Sequence, residues 1–392
     1  LGFTDAEVQG KAYTSSQRRV RAIWNIADRY GLSSDVFGWW ITWPAEEIRG
    51  LMVSGSSSAA LVDDNWKPAL LPGIPRQVEP RSLEWEVLAI AKKAGSIEEV
   101  HRLAREMVFG SIPDANLGDV ERKLMRQTLW SIQSDATFFE ECRQLMPSHR
   151  ADLNIVYLGG PDVVGHRFWR YYEPETFSWP GNAAADARWK EISPQSAPLE
   201  EILATKEGER ALALVIPSDY QWIDRMIGDL VKAAGPETTV IVCSDHGFHV
   251  FGTEEPNTKF ITGHHLDSPA GVIVAAGPCI RRSGDVAAFL ASGELPSLGT
   301  VLDVTPTLLA LLGIPRSREM PGQGMKRLLE GAARDNADLP PIATHDDGFR
   351  AASATQLPPE MERNFQERFK NLGYIGSEDE APPRKPAGDK PK

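Results

Sequence analysis

The sequence predicts an α/β fold, with a mainly parallel central sheet, flanking helices and a helical insertion over about residues 80–150. Three observations predict it. Short apolar runs rich in β-branched residues recur at LNIVYL (153–158), TTVIVC (238–243) and GVIVAA (271–276). Segments with apolar residues at helical spacing stand between or beside them. Runs that are apolar on both faces suit strands covered by helices on both sides, which is the setting of a parallel sheet.

The elements follow in order. Residues 16–30 place Val20, Ile23, Trp24 and Ile26 at helical spacing, and Gly31 supplies a stop. Val36 to Trp43 (VFGWWITW) reads as a buried strand ending at Pro44. From Gly50 to about Pro80, the Ser, Pro, Asp and Gly content predicts irregular surface chain. Residues 83–108 and 114–147 read as the helices of the insertion, the second amphipathic through Leu117, Val120, Leu124, Leu129 and Ile132. The strand at 153–158 is broken by Gly159-Gly160-Pro161, and Trp222 to Ala234 is an amphipathic helix. Asp303 to Leu312 is a helix with Asp303 or Thr305 near its cap and Pro306 in its first turn, where a missing N–H costs little. The Pro- and charge-rich residues 376–392 have nothing to bury and read as a disordered tail behind one domain over 1–375.

Composition narrows the function. The chain has 392 residues, 42% hydrophobic and 24% charged, with a net charge of −12. Eleven Trp and a mixed composition exclude collagen-like, coiled-coil and wholly disordered classes. No apolar run approaches the roughly 18 residues that a membrane span needs. The acidic balance argues against nucleic-acid binding, which requires a basic face. Cys142, Cys243 and Cys279 lie far apart with no CxxC pair, so neither a disulfide framework nor a Cys-type zinc site is expected. The opening LGFTDAEVQG is neither an initiator segment nor a signal peptide, so the expectation is a fragment without its native N-terminus, its compartment (cytoplasmic or periplasmic) left open.

Eight histidines occur, and three segments combine a strand end, glycine and metal-ligand side chains. They are Gly160-Pro-Asp162-Val-Val-Gly165-His166, Ser244-Asp245-His246-Gly247 and Gly263-His264-His265. In α/β sheets functional groups gather where strands end, so the first two segments are expected to bring a carboxylate and an imidazole to one sheet edge. Carboxylate oxygen with neutral imidazole nitrogen suits zinc or manganese. Gly165 and Gly247 are expected to let the backbone turn sharply so that adjacent ligands converge. Taken singly, SDHG also fits an Asx-turn and GHH a polar loop. His101, His149, His249 and His345 read as structural or surface residues. Aromatics in the run His166 to Trp179 suit core packing, or stacking on a nucleobase or sugar.

The set PDVVGH, VIVCSDHGF, GHHLDSPAGVIVAAGP and VLDVTPTLLALLGIP resembles the type I phosphodiesterase / nucleotide pyrophosphatase family of the alkaline phosphatase superfamily. WWITWPAEEIRGLMVS and FKNLGYIG look like segments of its bacterial members, so the resemblance runs over roughly residues 10–375. It implies an alkaline phosphatase-like fold and two divalent metal ions, zinc or manganese. One ion would be held by Asp162, His166 and His265, the last preferred over His264 because the family pattern is G-x-H followed by a glycine, here Gly271. The other would be held by Asp245 and His246 with an N-terminal Asp and a Thr or Ser nucleophile, both expected upstream of Leu1. The implied substrate is a small phosphate ester, cleaved at a phosphodiester or pyrophosphate bond. Alternatives on the same scaffold are a sulfatase, a phosphonate hydrolase, a phosphomonoesterase or a phosphomutase. A non-catalytic metal-binding protein is the alternative from another class.

Overall fold

A computed structural model describes residues 14–55, 57, 61–62, 68–69, 75–110, 119–173, 210–250, 262–265, 269–282, 297–349, 358–359 and 362. The expected tail at 376–392 lies outside the described residues. Helix α1 (Ile23–Arg29) leads into β1 (Ser34–Phe37), the buried centre of a four-stranded sheet. β1 pairs in parallel with β2 (Gly50–Val53), and β3 (Leu61–Val62) and β4 (Pro68–Ala69) then form a short antiparallel hairpin. β5 (Val78–Glu79) pairs antiparallel with β2, and β6 (Leu153–Val156) pairs in parallel with the other side of β1. The sheet order is therefore β5-β2-β1-β6, mixed but mostly parallel, as the composition of its strands predicts.

Two expectations about this sheet are corrected. The strand expected at 36–43 ends at Phe37, because Gly38 and Ile41 take positive φ (73° and 57°) and fold the aromatic run out of the sheet. Trp39 and Trp40 then both meet Tyr157 edge-on at 6.0 Å. The stretch from Gly50, expected to be irregular, opens with β2, whose Leu51, Met52 and Val53 are fully buried. Four apolar residues ahead of SGSSS are too short a run for a periodicity to register.

The insertion is helical as expected, in four pieces. α2 (Glu84–Ala94) stops at Gly95, and α3 (Ile97–Leu103) starts anew because the Ser96 hydroxyl accepts the Glu99 N–H and caps it. A π-helical turn, Ala104–Phe109, follows, and then α4 (Asp119–His149), which packs on β1 and β6. After β6 come α5 (Gly160–Tyr172), α6 (Arg210–Ala213) and α7 (Val215–Ala234), the last starting well before Trp222. The Gly-Gly-Pro that reads as a strand break opens α5, with Pro161 in its first turn. α4, α5 and α7 share an apolar core that includes Leu124, Ile132, Phe168, Tyr171 and Trp222. Phe168 and Tyr171 thus serve core packing, while 174–179 lie outside the described residues.

β7 (Val240–Cys243) is followed by the short antiparallel pair β8 (His249–Val250) and β9 (Gly263–His264). β10 (Ile273–Ala276) pairs antiparallel with β7 in a two-stranded sheet of its own among the described residues. The expectation that β6 and β7 end on one sheet edge is corrected by this. Apolar composition predicts that a strand is covered, and leaves open which strand it pairs with and in which direction. α8 (Val304–Leu311) and α9 (Gly331–Asn336) close a further core with Ile280, Ala310, Leu329 and Ala333. Asp303 precedes α8, its carboxylate accepting the N–H groups of Thr300 and Gln323. No helix of the described residues is long and apolar enough to cross a membrane.

Candidate metal centre

Asp162 and His166 stand four residues apart on α5, so helical geometry places them on one face. Asp162 Oδ1 lies 3.6 Å from His166 Nε2. This corrects the expectation of a sharp turn at Gly165, which lies inside the helix and matters for its size. A methyl there would lie 3.0 Å from the Phe248 ring. His166 Nδ1 is 2.9 Å from the carbonyl of Gly263 and, as the donor of that bond, leaves Nε2 as the acceptor facing Asp162.

The segment after β7 folds back at once. Ser244 Oγ donates to the His246 carbonyl at 2.6 Å, and the Gly247 N–H donates to Pro269 O at 2.8 Å. Gly247 is needed for this approach rather than for a positive φ, since a methyl there would lie 3.0 Å from Pro269 O. His246 Nε2 is thereby held 3.6 Å from Asp162 Oδ1 and 3.6 Å from Asp245 Oδ1. The Asp245 side chain is 78% exposed and marks the solvent side of the site.

His265 follows β9 and stacks on His246 with ring centroids 4.1 Å apart, and it meets the His166 ring in a T-shaped contact with centroids 5.1 Å apart. One donor atom each from Asp162, His246 and His265 lie within 4.8 Å of one another. His264 turns the other way, its ring 4.2 Å from that of His249, opposite it in the β8–β9 pair. Successive strand residues face opposite sides, so one histidine of the GHH segment joins the cluster and the other does not. The convergence also crosses the expected division of ligands, because His246 meets Asp162 and His265.

The electrostatics of the cluster suit a cation. Asp162 Oδ1 is buried and accepts no hydrogen bond from the described residues. Burial raises the Asp162 carboxyl above its usual range, His246 pulling against the rise and Asp245 adding to it. Burial also pushes His166 down to about 3, and it lowers His265, with His246 as the next cause there. Both imidazoles are neutral near pH 7 and keep a lone pair for a ligand. A buried acceptor oxygen beside the neutral imidazoles of His166 and His265 is costly until a proton or cation meets it, and this donor set fits a divalent metal.

Sequence reasoning passed over three residues here. Phe248 touches the rings of His166, His246 and His265 at 5.1, 5.4 and 5.9 Å and stacks on Trp169. It follows SDHG directly, so its place beside the histidines was there to be read. Asp135 on α4 and Asp219 on α7 are fully buried near the start of α5. A cleft lined by Trp40, Trp43, Trp130 and Tyr157 reaches Asp162.

The model of the type I phosphodiesterase / nucleotide pyrophosphatase family matches residues 4–283. The chain belongs to this family. All five proposed ligands of this family member lie inside the matched stretch. Among curated proteins, the chain is similar to the 2,3-bisphosphoglycerate-independent phosphoglycerate mutase of Synechococcus sp. (strain JA-3-3Ab), 33% identical over 107 residues. That stretch covers 26% of this chain and 18% of the mutase. Mutases of the same description from Trichormus variabilis and Nostoc sp. are 29% identical over 107 residues, with the same shares covered. The mutases are distant homologues within the alkaline phosphatase superfamily. No solved structure matches the chain significantly.

Proposed function

We propose that the protein is a divalent-metal-dependent hydrolase of small phosphate esters, cleaving phosphodiester or nucleotide pyrophosphate bonds. One observation carries the reading. Donor atoms of Asp162, His246 and His265, brought from three separate segments, converge within 4.8 Å around a buried carboxylate oxygen that accepts no hydrogen bond from the described residues. Family membership supports it as well. Asp162, His166 and His265 hold one ion, and Asp245 and His246 hold a second, each zinc or manganese. His246 stands between the two carboxylates, 3.6 Å from an oxygen of each.

Bound there, divalent ions supply positive charge to a non-bridging phosphate oxygen and lower the pKa of an attacking hydroxyl. The chain's own residues prepare the site. The Gly263 carbonyl orients the His166 ring, Phe248 packs the three imidazoles against one another, and exposed Asp245 leaves the solvent side open. No residue of 1–392 is assigned as nucleophile.

Elemental analysis of the purified chain and of His166→Ala tests the reading, alongside hydrolysis of bis-p-nitrophenyl phosphate, p-nitrophenyl phosphate and p-nitrophenyl sulfate. The expected result is about two zinc or manganese ions per chain, falling to about one in the variant, as a two-metal site requires. Where hydrolysis is seen, the diester is preferred and a chelator abolishes the rate. A parent chain that retains neither metal overturns the proposal.

A further inference from the structure

Two buried carboxyls outside the ligand set sit under the first turn of α5. Asp135 accepts the Gly159 N–H through Oδ1 and the Gly160 N–H through Oδ2, each at 2.8 Å. A helix N-terminus leaves such amides without intrahelical partners. The positive end of the helix dipole also favours an ionised carboxylate there. Asp219 flanks the same point from α7. A methyl built on Gly160 would collide with Asp135 Oδ2 and stand 3.4 Å from Asp219 Oδ1.

The two acids play different parts. Neither oxygen of Asp219 has a hydrogen-bond partner among the described residues. Burial, reinforced by the charge of Asp135, drives Asp219 strongly toward its neutral form. Burial lifts Asp135 to about 7, and its two amide bonds pull against the rise. Asp135 is therefore the acceptor of the two amides, and Asp219 stands beside it without accepting a hydrogen bond from the described residues. Helices α4, α5 and α7 pack pairwise here. Asp162 lies two residues beyond Gly160 and His166 one helical turn further, so any rotation of the first turn displaces both.

We propose that Asp135 is a positioning residue for the metal centre. Its carboxylate clamps the Gly159 and Gly160 amides and so sets the rotation of α5 that aims Asp162 and His166 at His246 and His265. This role rests on the metal-dependent reading above.

Asp135→Asn tests it, since the amide keeps the size but offers one acceptor oxygen and turns an NH2 toward a backbone N–H. Zinc affinity of the full chain is measured by calorimetry, with hydrogen exchange of the α5 first turn read on the same samples. The expected result is faster exchange there and zinc binding 10–100-fold weaker, the usual effect of losing an outer-shell partner. Gly160→Ala is an independent variant, because its methyl takes the place of Asp135 Oδ2. It gives the same loss, and the double variant loses no more than either alone, as coupled neighbours do. Glu140→Gln, at a half-buried ion pair on the same helix, keeps the parent affinity. A folded Asp135→Asn or Gly160→Ala that binds zinc as tightly as the parent overturns the role and leaves the metal reading standing. A parent that takes up no zinc overturns the metal reading, and this role with it.

Discussion

One methyl group on Gly263 should separate the two halves of the metal centre. In Gly263→Ala the new Cβ would collide with the Gly165 carbonyl oxygen and lie 2.9 Å from Trp169 Cβ. Ordinary van der Waals contact begins near 3.4 Å, so β9 must withdraw from α5 by about an ångström to clear the Gly165 carbonyl. Both obstacles belong to one helix, and the closer one is backbone that no rotamer change can move aside. Overpacking of this kind costs about 1–3 kcal/mol. The shift also lengthens the bond between His166 and the Gly263 carbonyl and carries His265, two residues on, away from Asp162. Zinc affinity should therefore fall by about 10–100-fold. Gly228→Ala is the contrast, because a methyl there meets nothing within 4 Å on α7 and replaces the poorer helix former. It should stabilise by about 0.4–1 kcal/mol and leave zinc binding alone. Urea unfolding and zinc calorimetry on both variants check this. A Gly263→Ala chain within about 0.5 kcal/mol of the parent, the range of an ordinary surface change, and with parental zinc affinity, would refute the close-packing argument.

Two further predictions use groups far from the ligands. Glu141 on α4 is fully buried, neither carboxyl oxygen has a hydrogen-bond partner among the described residues, and burial raises it well above its usual 4.5. Between that value and its folded value the native state holds a proton the unfolded chain has lost, so parent stability falls as pH rises. Glu141→Gln removes that titration, and its advantage in melting temperature should be larger at pH 8 than at pH 5; parallel behaviour at the two pH values would sink the reasoning. Asp303 behaves oppositely. The Gln323 N–H first, then Thr300, hold its carboxyl below the usual 3.8. Its contribution is present above that value and is lost as pH falls through the folded value. Asp303→Ala should cost on the order of 1 kcal/mol at pH 6, and the deficit should shrink in thermal melts taken toward pH 2–3. An undiminished deficit in acid would assign the cost to packing.

How far the fold and the site could be read beforehand depends on the range of the interactions involved. Local patterns were legible. The apolar runs became β6, β7 and β10, the amphipathic stretches became α4 and α7, and the disulfide-free reading agrees with three free cysteines. β2 was missed because its four residues acquire their meaning from β1, to which they are bonded from a distance along the chain. Asp135 was passed over because nothing near it in the sequence announces Gly159 and Gly160 as its partners.

The donor chemistry was legible in residue order alone: three glycine-bearing segments with carboxylate and imidazole donors, in an acidic chain with an α/β pattern. Side-chain type and local period are properties of neighbouring residues, and sequence records neighbours. Which donors meet depends on how the elements pack. Helical spacing, rather than a turn at Gly165, put Asp162 beside His166, and strand alternation sent His265 to the cluster and His264 to His249. The close approach of β9 to α5, with room for hydrogen alone at Gly263, brought the third segment in. Such contacts depend on the packing of elements nearly a hundred residues apart in the chain, from His166 to Gly263, and no local pattern carries that distance.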